Sequence, residues 1–262
     1  MRVLFIGGTG VISSSCAALA LARGIKLTLL NRGRSSTHPV PEGAEVVHAD
    51  IRDRAATQAA LAGRMFDAVV DWVAFKPEHV EADIELFRGH TGQYVFISSA
   101  SAYQKPPSSL PITESTPLYN PFWQYSRDKI ACEERLVRAF REEKFPYTII
   151  RPSHTYDQTK VPGAGGWTGV HRLRQGKAVV VPGDGTSLWV LTHSRDLAKG
   201  LVGLLGNARA IAEAFHITSD EWLDWNQIYA TLARAAGAEL RIVHVPSAVI
   251  IRYHAQWGGG LL

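Results

Sequence analysis

Arg2-Val3-Leu4-Phe5-Ile6-Gly7-Gly8-Thr9-Gly10-Val11-Ile12-Ser13 is the stretch from which the rest of the chain is read. A short β-forming run ends in glycines, and a segment of helical period follows over 12–23. Glycine at a strand-to-helix turn lets the backbone approach a pyrophosphate with no Cβ in the way. The helix N-terminus behind it offers free N–H groups and a partial positive charge. The stretch therefore points to a dinucleotide held by Gly7, Thr9, Gly10, Val11 and Ile12. A tight turn without a ligand is the alternative. Ser13 stands where a G-x-x-G-x-x-G pattern has its third glycine. Serine is small enough to keep helix–strand packing, and its hydroxyl, or that of Ser14, could reach a phosphate.

The first half of the chain continues the alternation outward from this turn. β-type runs lie at Val3–Ile6, Leu27–Leu30, Glu45–Val47, Ala68–Val70, Tyr94–Ile97 and Tyr147–Ile150. Helix-period segments fall around 12–23, 55–63, 78–88 and 122–143. Such an order predicts an α/β fold, a Rossmann-type doubly wound parallel sheet with its binding site at the carboxyl ends of the strands. After Arg151 the pattern loosens into a helix around 168–176, a strand at Ala178–Val181, a turn at Pro182-Gly183-Asp184-Gly185, a helix from Arg195 to about Leu205, a strand at 214–218 and a helix over 225–236. The expected division is a dinucleotide-binding domain over 1–152 and a small C-terminal substrate-binding lobe over 153–262, with about 188–218 returning to the main sheet. The tail Trp257-Gly258-Gly259-Gly260-Leu261-Leu262 closes with no helix. It reads either as a free tail or as a point beyond which the natural chain continues.

Composition narrows the class. The 262 residues are 46% apolar and 20% charged, which excludes a disordered, collagen-like or coiled-coil chain. No apolar run approaches the roughly 20 residues of a bilayer span, and the N-terminus enters a strand directly, so the expectation is a cytoplasmic protein with no membrane partner. Two cysteines, Cys16 and Cys132, make neither a disulfide framework nor a metal site. A net charge of +4 favours small anions and falls short of a nucleic-acid footprint.

Further candidate residues follow the strands. After the second strand comes Asn31-Arg32-Gly33-Arg34, where an acid would bond the ribose 2′-hydroxyl of NAD and an arginine accommodates the 2′-phosphate of NADP. Asn31 is not acidic and Arg32 is cationic, so NADP is favoured over NAD, with two solvated arginines as the alternative. Asp50 and Ile51 are placed to face an adenine, and Val73 and Ala74 to line the ribose. Tyr125-Ser126-Arg127-Asp128-Lys129 puts a phenol and an ammonium on one helix face. A phenol with a pKa of about 10 exchanges protons poorly at neutral pH, and a nearby cation lowers that value. The hydroxyls of Ser98, Ser99, Ser101 and Tyr103 should face the same crevice; strand-end capping is the alternative for any one of them.

Taken together these residues resemble the short-chain dehydrogenase/reductase superfamily in its extended or atypical branch, the NAD-dependent epimerase/dehydratase family. The resemblance covers nearly the whole chain. Besides the Gly7–Ser13 turn it rests on Ser98-Ser99-Ala100-Ser101-Ala102-Tyr103, the Tyr125/Lys129 pair, Arg151-Pro152-Ser153-His154-Thr155-Tyr156, Pro182-Gly183-Asp184-Gly185, Thr192-His193-Ser194-Arg195-Asp196-Leu197-Ala198 and Phe215-His216-Ile217-Thr218. It implies a triad of Ser99, Tyr125 and Lys129, with Tyr125 as general acid/base, Lys129 lowering its pKa and bonding the nicotinamide ribose, and Pro152 beside the cofactor. Hydride would pass between the nicotinamide and a substrate carbon. His154 stands where the family often has a substrate-orienting asparagine; contact with substrate and a bond to backbone are both open.

The departures from the family bear on chemistry. Ala100 and Ser101 replace the Asp-Glu pair of nucleotide-sugar 4,6-dehydratases, which leaves an elimination step without its acid and base. Trp189 replaces an arginine that binds the diphosphate in many epimerases, which argues against a standard UDP-sugar and for stacking on an apolar or aromatic group. His171, Arg172, Arg174 and Lys177 could meet an acidic substrate or form a solvated helix face. A homodimer through the Tyr125–Lys129 helix is implied, with Ile130, Leu136, Val137 and Phe140 open between interface and core. The competing functions are a small-molecule oxidoreductase or epimerase, a non-catalytic NAD(P)-sensing or RNA-binding relative, and an inactive subunit. The intact triad argues against the last two.

Overall fold

A computed structural model describes residues 1–34, 37–163, 165–254 and 257. The first part of the chain forms, in order, β1 (Arg2–Ile6), α1 (Val11–Ala22), β2 (Lys26–Asn31), β3 (Glu45–His48), α2 (Arg54–Leu61), β4 (Ala68–Asp71), α3 (Pro77–Phe87), β5 (Tyr94–Ile97), α4 (Gln124–Glu143) and β6 (Tyr147–Pro152). There follow β7 (His154–Tyr156), α5 (Gly166–Arg174), β8 (Val179–Pro182), β9 (Leu188–His193), α6 (Ser194–Leu204), β10 (Ala214–Ile217), β11 (Trp222–Asp224), α7 (Trp225–Ala235), β12 (Ile242–Val245) and α8 (Ser247–Tyr253).

Two compact units result. The first comprises Met1–Ser153 and His193–Ile217. Its seven strands run in the order β10-β6-β5-β4-β1-β2-β3, and every neighbouring pair is parallel. The α/β doubly wound sheet expected from the alternation is therefore present. The order reverses at β1, which pairs with β2 on one side and β4 on the other, and a doubly wound sheet binds ligands at that point.

The strands read as continuous apolar runs because both faces are covered. Alternate residues divide between two cores. Val3 and Phe5 face Cys16, Ala17 and Ala20 of α1 with Leu197 and Leu201 of α6. Leu4 and Ile6 share the other core with Val80, Ile84 and Phe87 of α3 and Cys132, Leu136 and Ala139 of α4. Leu136 thus belongs to the core, and Val137 and Phe140 pack against it partly buried.

The second unit comprises His154–Thr192 and Thr218–Leu262. It has a sheet of order β11-β9-β7 and a parallel pair β12-β8. Leu173, Val179, Val181, Trp225, Ile228, Tyr229 and Ala233 form its core. Four of its strands, β7, β9, β11 and β12, and the helix α8 went unread in the sequence. Elements of three to seven residues are too short to establish a period. Residues 258–262 of the tail lie outside the described residues. Among the described residues no helix is long and apolar enough to cross a membrane.

Candidate active site

The turn after β1 takes the shape that its glycines permit. Gly7 has φ +104° and Gly8 φ +114°, conformations that L side chains avoid. A Cβ on Gly8 would lie 2.7 Å from Leu29 Cδ2, and one on Gly7 would lie 3.4 Å from Trp72 Cβ and 3.6 Å from Val73 Cγ1. The turn therefore lies against β2 on one side and the residues after β4 on the other. Gly10 caps α1, whose first turn contains no acid. Gly10 gives that first turn no side-chain cap, and N–H groups and a helix dipole so placed favour an anion.

Ser13 is engaged within the loop. It is buried, and its hydroxyl accepts a hydrogen bond from Gly10 N at 2.8 Å. That bond shapes the loop. Thr9 is held through its carbonyl oxygen, 3.3 Å from His38 Nδ1.

The candidate residues at the other strand ends are linked to one another. Asn31 Oδ1 accepts from Gly33 N at 2.9 Å, so its amide closes the turn after β2. Arg32 is exposed and lies 3.7 Å from the Asp50 carboxylate. That contact engages Asp50, which also accepts from Arg52 N at 3.0 Å. Arg52 in turn donates to Val73 O at 2.8 Å. Asp71 ends β4 fully buried, and its Oδ1 accepts from the N–H groups of Val73 and Ala74. The turn so fixed aims Ala74 O at Lys129.

Lys129 is 2% exposed, and its ammonium donates to Ala74 O and Ile97 O, both at 2.6 Å. It sits 4.6 Å from the ring centre of Phe96, 4.9 Å from that of Phe75 and 5.7 Å from that of Tyr125. An ammonium has three donors, so one remains beyond the two carbonyls. Burial pushes its pKa down to about 8. The phenol of Tyr125 lies between Trp123, at 4.7 Å between ring centres, and Phe75, at 6.4 Å. Burial raises its pKa, and a hydrogen bond with Ser99 opposes the rise. The expected lowering by Lys129 is absent in this state. The ammonium lies 5.7 Å from the ring centre and is held by two carbonyls.

Ser99 caps the short turn that follows β5 and accepts from Ser101. Ser98 instead donates to Glu133, which is paired with Arg151 at 2.6 Å. The four hydroxyls of this segment thus separate. Ser99 meets Tyr125, Ser101 supports Ser99, and Ser98 and Tyr103 belong to the buried Glu133–Arg151 network. Pro152 ends β6, buried, in the same sheet.

His154 and Trp189 belong to the second unit and meet there. Trp189 Nε1 donates to His154 Nδ1 at 3.0 Å, and the Trp189 ring lies 5.2 Å from that of Trp225. The bond that His154 makes is to a side chain, not to backbone. As an acceptor its ring is neutral at that nitrogen, and burial pushes its pKa down to about 4. His171, Arg172, Arg174 and Lys177 are exposed on and just after α5, as a solvated face requires. His193 caps α6 and Asp196 pairs with Lys199.

Reading the sequence missed Asn120, Ser126, Asp71 and Phe75. A serine directly after the tyrosine of a helical Y-x-x-x-K is an ordinary surface residue by sequence. Only burial marks Ser126, which is fully enclosed.

The family profile described as the NAD dependent epimerase/dehydratase family matches residues 3–218. The chain is 27% identical over 256 residues to the Arabidopsis thaliana chloroplast stem-loop binding protein of 41 kDa b, covering 93% of this chain and 65% of that one. It is 29% identical over 170 residues to a UDP-glucose 4-epimerase of Lactobacillus helveticus, covering 58% of this chain and 51% of the relative. The chain thus spans between half and two thirds of the length of these relatives. A solved Thermus thermophilus UDP-glucose 4-epimerase in complex with NAD superposes with a TM-score of 0.76 at 21% identity, over 94% of this chain and 86% of that one. That likeness establishes the fold.

Proposed function

The chain belongs to the NAD-dependent epimerase/dehydratase family, and from that premise we propose that it is an oxidoreductase or epimerase of the extended short-chain dehydrogenase/reductase type, acting on a small carbonyl, alcohol or sugar-like substrate. The observation that carries the reading is the convergence of Ser99, Tyr125 and Lys129 at the carboxyl ends of β4 and β5.

The residues present fit a nicotinamide dinucleotide. Gly7, Thr9, Gly10, Val11 and Ile12 would hold the diphosphate at the open N-terminus of α1. Asn31, Arg32, Asp50 and Ile51 would border the adenosine. Val73, Ala74 and Pro152, with the remaining donor of Lys129, would border the nicotinamide ribose. When bound, the dinucleotide supplies the hydride acceptor or donor. Tyr125 then exchanges a proton with the substrate oxygen through its phenol oxygen. Ser99 holds that oxygen with its hydroxyl. Lys129 holds the ribose and lends positive charge beside the phenol. The cations Arg32 and Arg34, with no acid at Asn31, support NADP, whereas the epimerase solved with NAD supports the unphosphorylated form. Ala100 and Ser101 support a reaction without elimination. Trp189, held by His154 and Trp225, supports a substrate whose diphosphate is not neutralised at that position.

Titration with NADH and NADPH, followed by nicotinamide fluorescence, tests the cofactor. Hydride exchange across a panel of nucleotide sugars and small carbonyls, with Tyr125→Phe as control, tests the mechanism. Equal turnover in the variant overturns it. The stem-loop binding relative supports a second reading, an RNA-binding protein on the same fold. Mobility-shift assays at two salt concentrations separate the two, because RNA binding falls steeply with salt.

A further inference from the structure

Two backbone carbonyls hold the Lys129 ammonium, and they are not themselves held alike. Ile97 belongs to β5, so its ladder with β6 sets the direction of its carbonyl. Ala74 lies past Asp71, the last residue of β4, and outside the registers of that strand. Side chains do there what the ladder does in the sheet. Asp71 Oδ1 accepts from Val73 N at 2.5 Å and from Ala74 N at 2.9 Å. Arg52 Nη2 donates to Val73 O at 2.8 Å, and His79 Nδ1 accepts from Phe75 N at 3.2 Å. Asp71 is fully buried, Arg52 is exposed and His79 is half-buried.

An ammonium has three N–H donors in a tetrahedral arrangement. Ile97 O and Ala74 O each take one at 2.6 Å, so the direction of the third follows from where those two carbonyls point. We propose that Asp71 is a positioning residue that aims the Ala74 carbonyl at Lys129 and thereby sets the direction of the third N–H of the ammonium. Arg52 and His79 support the same turn from its outer side. A carboxyl is a costly way to cap a turn. Asp71 Oδ2 is buried and, among the described residues, has no hydrogen-bond partner. A serine or an asparagine caps such N–H groups without burying a second carboxylate oxygen. What the carboxylate adds is its effect on the neighbouring cation, whose charged form it favours against the opposing effect of burial.

The other titratable groups near the ammonium are Tyr125, Cys132 and Glu133, all on α4. Those near Asp71 are Asp83 on α3, Tyr94 on β5, Arg52 and His79. A test that reads distance in place of titration is indifferent to their protonation.

The proposal rests on the reading of Lys129 as the group that holds the nicotinamide ribose, but its first test needs neither substrate nor cofactor, so either can fail alone. The full chain is labelled with 13C-lysine, and the nuclear Overhauser contacts of the Lys129 methylenes are recorded. The Lys129 signal is assigned by its loss in Lys129→Met, and its contact with Phe75 by the loss in Phe75→Leu. The ammonium lies 4.9 Å from the ring centre of Phe75 on the turn and 4.6 Å from that of Phe96 in β5, so the Phe96 contact is the internal reference. Asp71→Ala should weaken the Phe75 contact severalfold relative to the Phe96 contact. Asp71→Asn, whose amide oxygen accepts from the same N–H groups, should restore it. Leu61→Ala, a cavity in the same core, should leave the ratio unchanged. Should Asp71→Ala fail to fold, Asp71→Leu fills the volume and accepts no hydrogen bond. NADH is then titrated by nicotinamide fluorescence. Asp71→Ala should weaken its binding about two- to tenfold, the worth of one hydrogen bond, and should have no further effect in a Lys129→Met background. An unmoved ratio in folded Asp71→Ala or Asp71→Leu, the same fall in Asp71→Asn or Leu61→Ala, or the same loss of NADH affinity without Lys129, overturns the proposal. An unaltered chain that binds no NADH counts against the cofactor reading alone, and the ratio of contacts still decides.

Discussion

Ser98 and Ser99 are adjacent in the chain and end in networks of different kinds. Ser98 is buried and donates to Glu133, whose carboxylate also takes Arg151 Nε at 3.1 Å and Nη2 at 2.6 Å. Arg151 extends this network to Tyr103 Oη at 3.3 Å. Ser99 is half-buried and meets the phenol of Tyr125. Successive residues of an extended segment point to opposite sides, so one step along the chain separates the two. The first network pairs full charges in the interior, where any missing member leaves a bare charge. The second contains neutral donors and ends on a group able to change protonation. One ties β5, α4 and β6 together, and the other belongs to the candidate site.

Breaking each network should therefore affect different measurements. The largest effect is expected from Tyr125→Phe, which should lower turnover by about 10²- to 10⁴-fold while Tm and dinucleotide affinity stay near wild type. Glu133→Ala should do the reverse in kind. Urea unfolding should show a loss of about 3 to 5 kcal/mol, because Arg151 is left buried without its partner.

A half-buried histidine extends the contrast to the second unit. His154 accepts from Trp189, and burial lowers its pKa to about 4, against about 6.5 in an unfolded chain. Between these values the unfolded state binds the extra proton. The stability from the neutral ring is thus complete above pH 6.5 and is lost as the pH falls through 4. Urea titrations followed by tryptophan fluorescence should show a loss of up to about 3 kcal/mol over that range. His154→Asn should flatten the curve.

The serine pair gives a smaller and sharper test. Ser98→Ala should cost about 1 to 3 kcal/mol of stability and spare turnover, whereas Ser99→Ala should spare stability and cost turnover about tenfold or more. Equal behaviour of the two variants in both measurements removes the distinction. The smallest effect is expected at a charge outside both networks. Arg32→Ala should weaken NADPH relative to NADH by no more than about fivefold, since an exposed charge contributes at most about 1 kcal/mol.

Much of the fold was legible in the sequence because its signals are local. The β1 run, the glycine turn and the small-residue face of α1 lie within twenty residues, and the alternation of strands and helices repeats them down the chain. The site was legible as a set of residue types. Tyr125 and Lys129 share a helix face by spacing alone, and Ser99 was located by resemblance. Partners were not legible where a side chain had two to choose from. Ser13 turned to Gly10, and Trp189 to His154 and Trp225. Asp71 and Ser126 carried no sequence signal, because burial is what gives them a role.

By itself, then, the sequence determined the sheet and the turn at its switch point, and it pointed to Ser99, Tyr125 and Lys129 as candidate groups. Those follow from backbone preferences and periodicities that act over a few residues. Only the tertiary structure decided the state of those groups. The Lys129 ammonium bonds carbonyls 55 and 32 positions away, and Ser101, which donates to the Ser99 hydroxyl, accepts from Ser126 on another element. Protonation and hydrogen-bond direction depend on desolvation and on the nearest donor in space, and both arise only when distant segments close around one another.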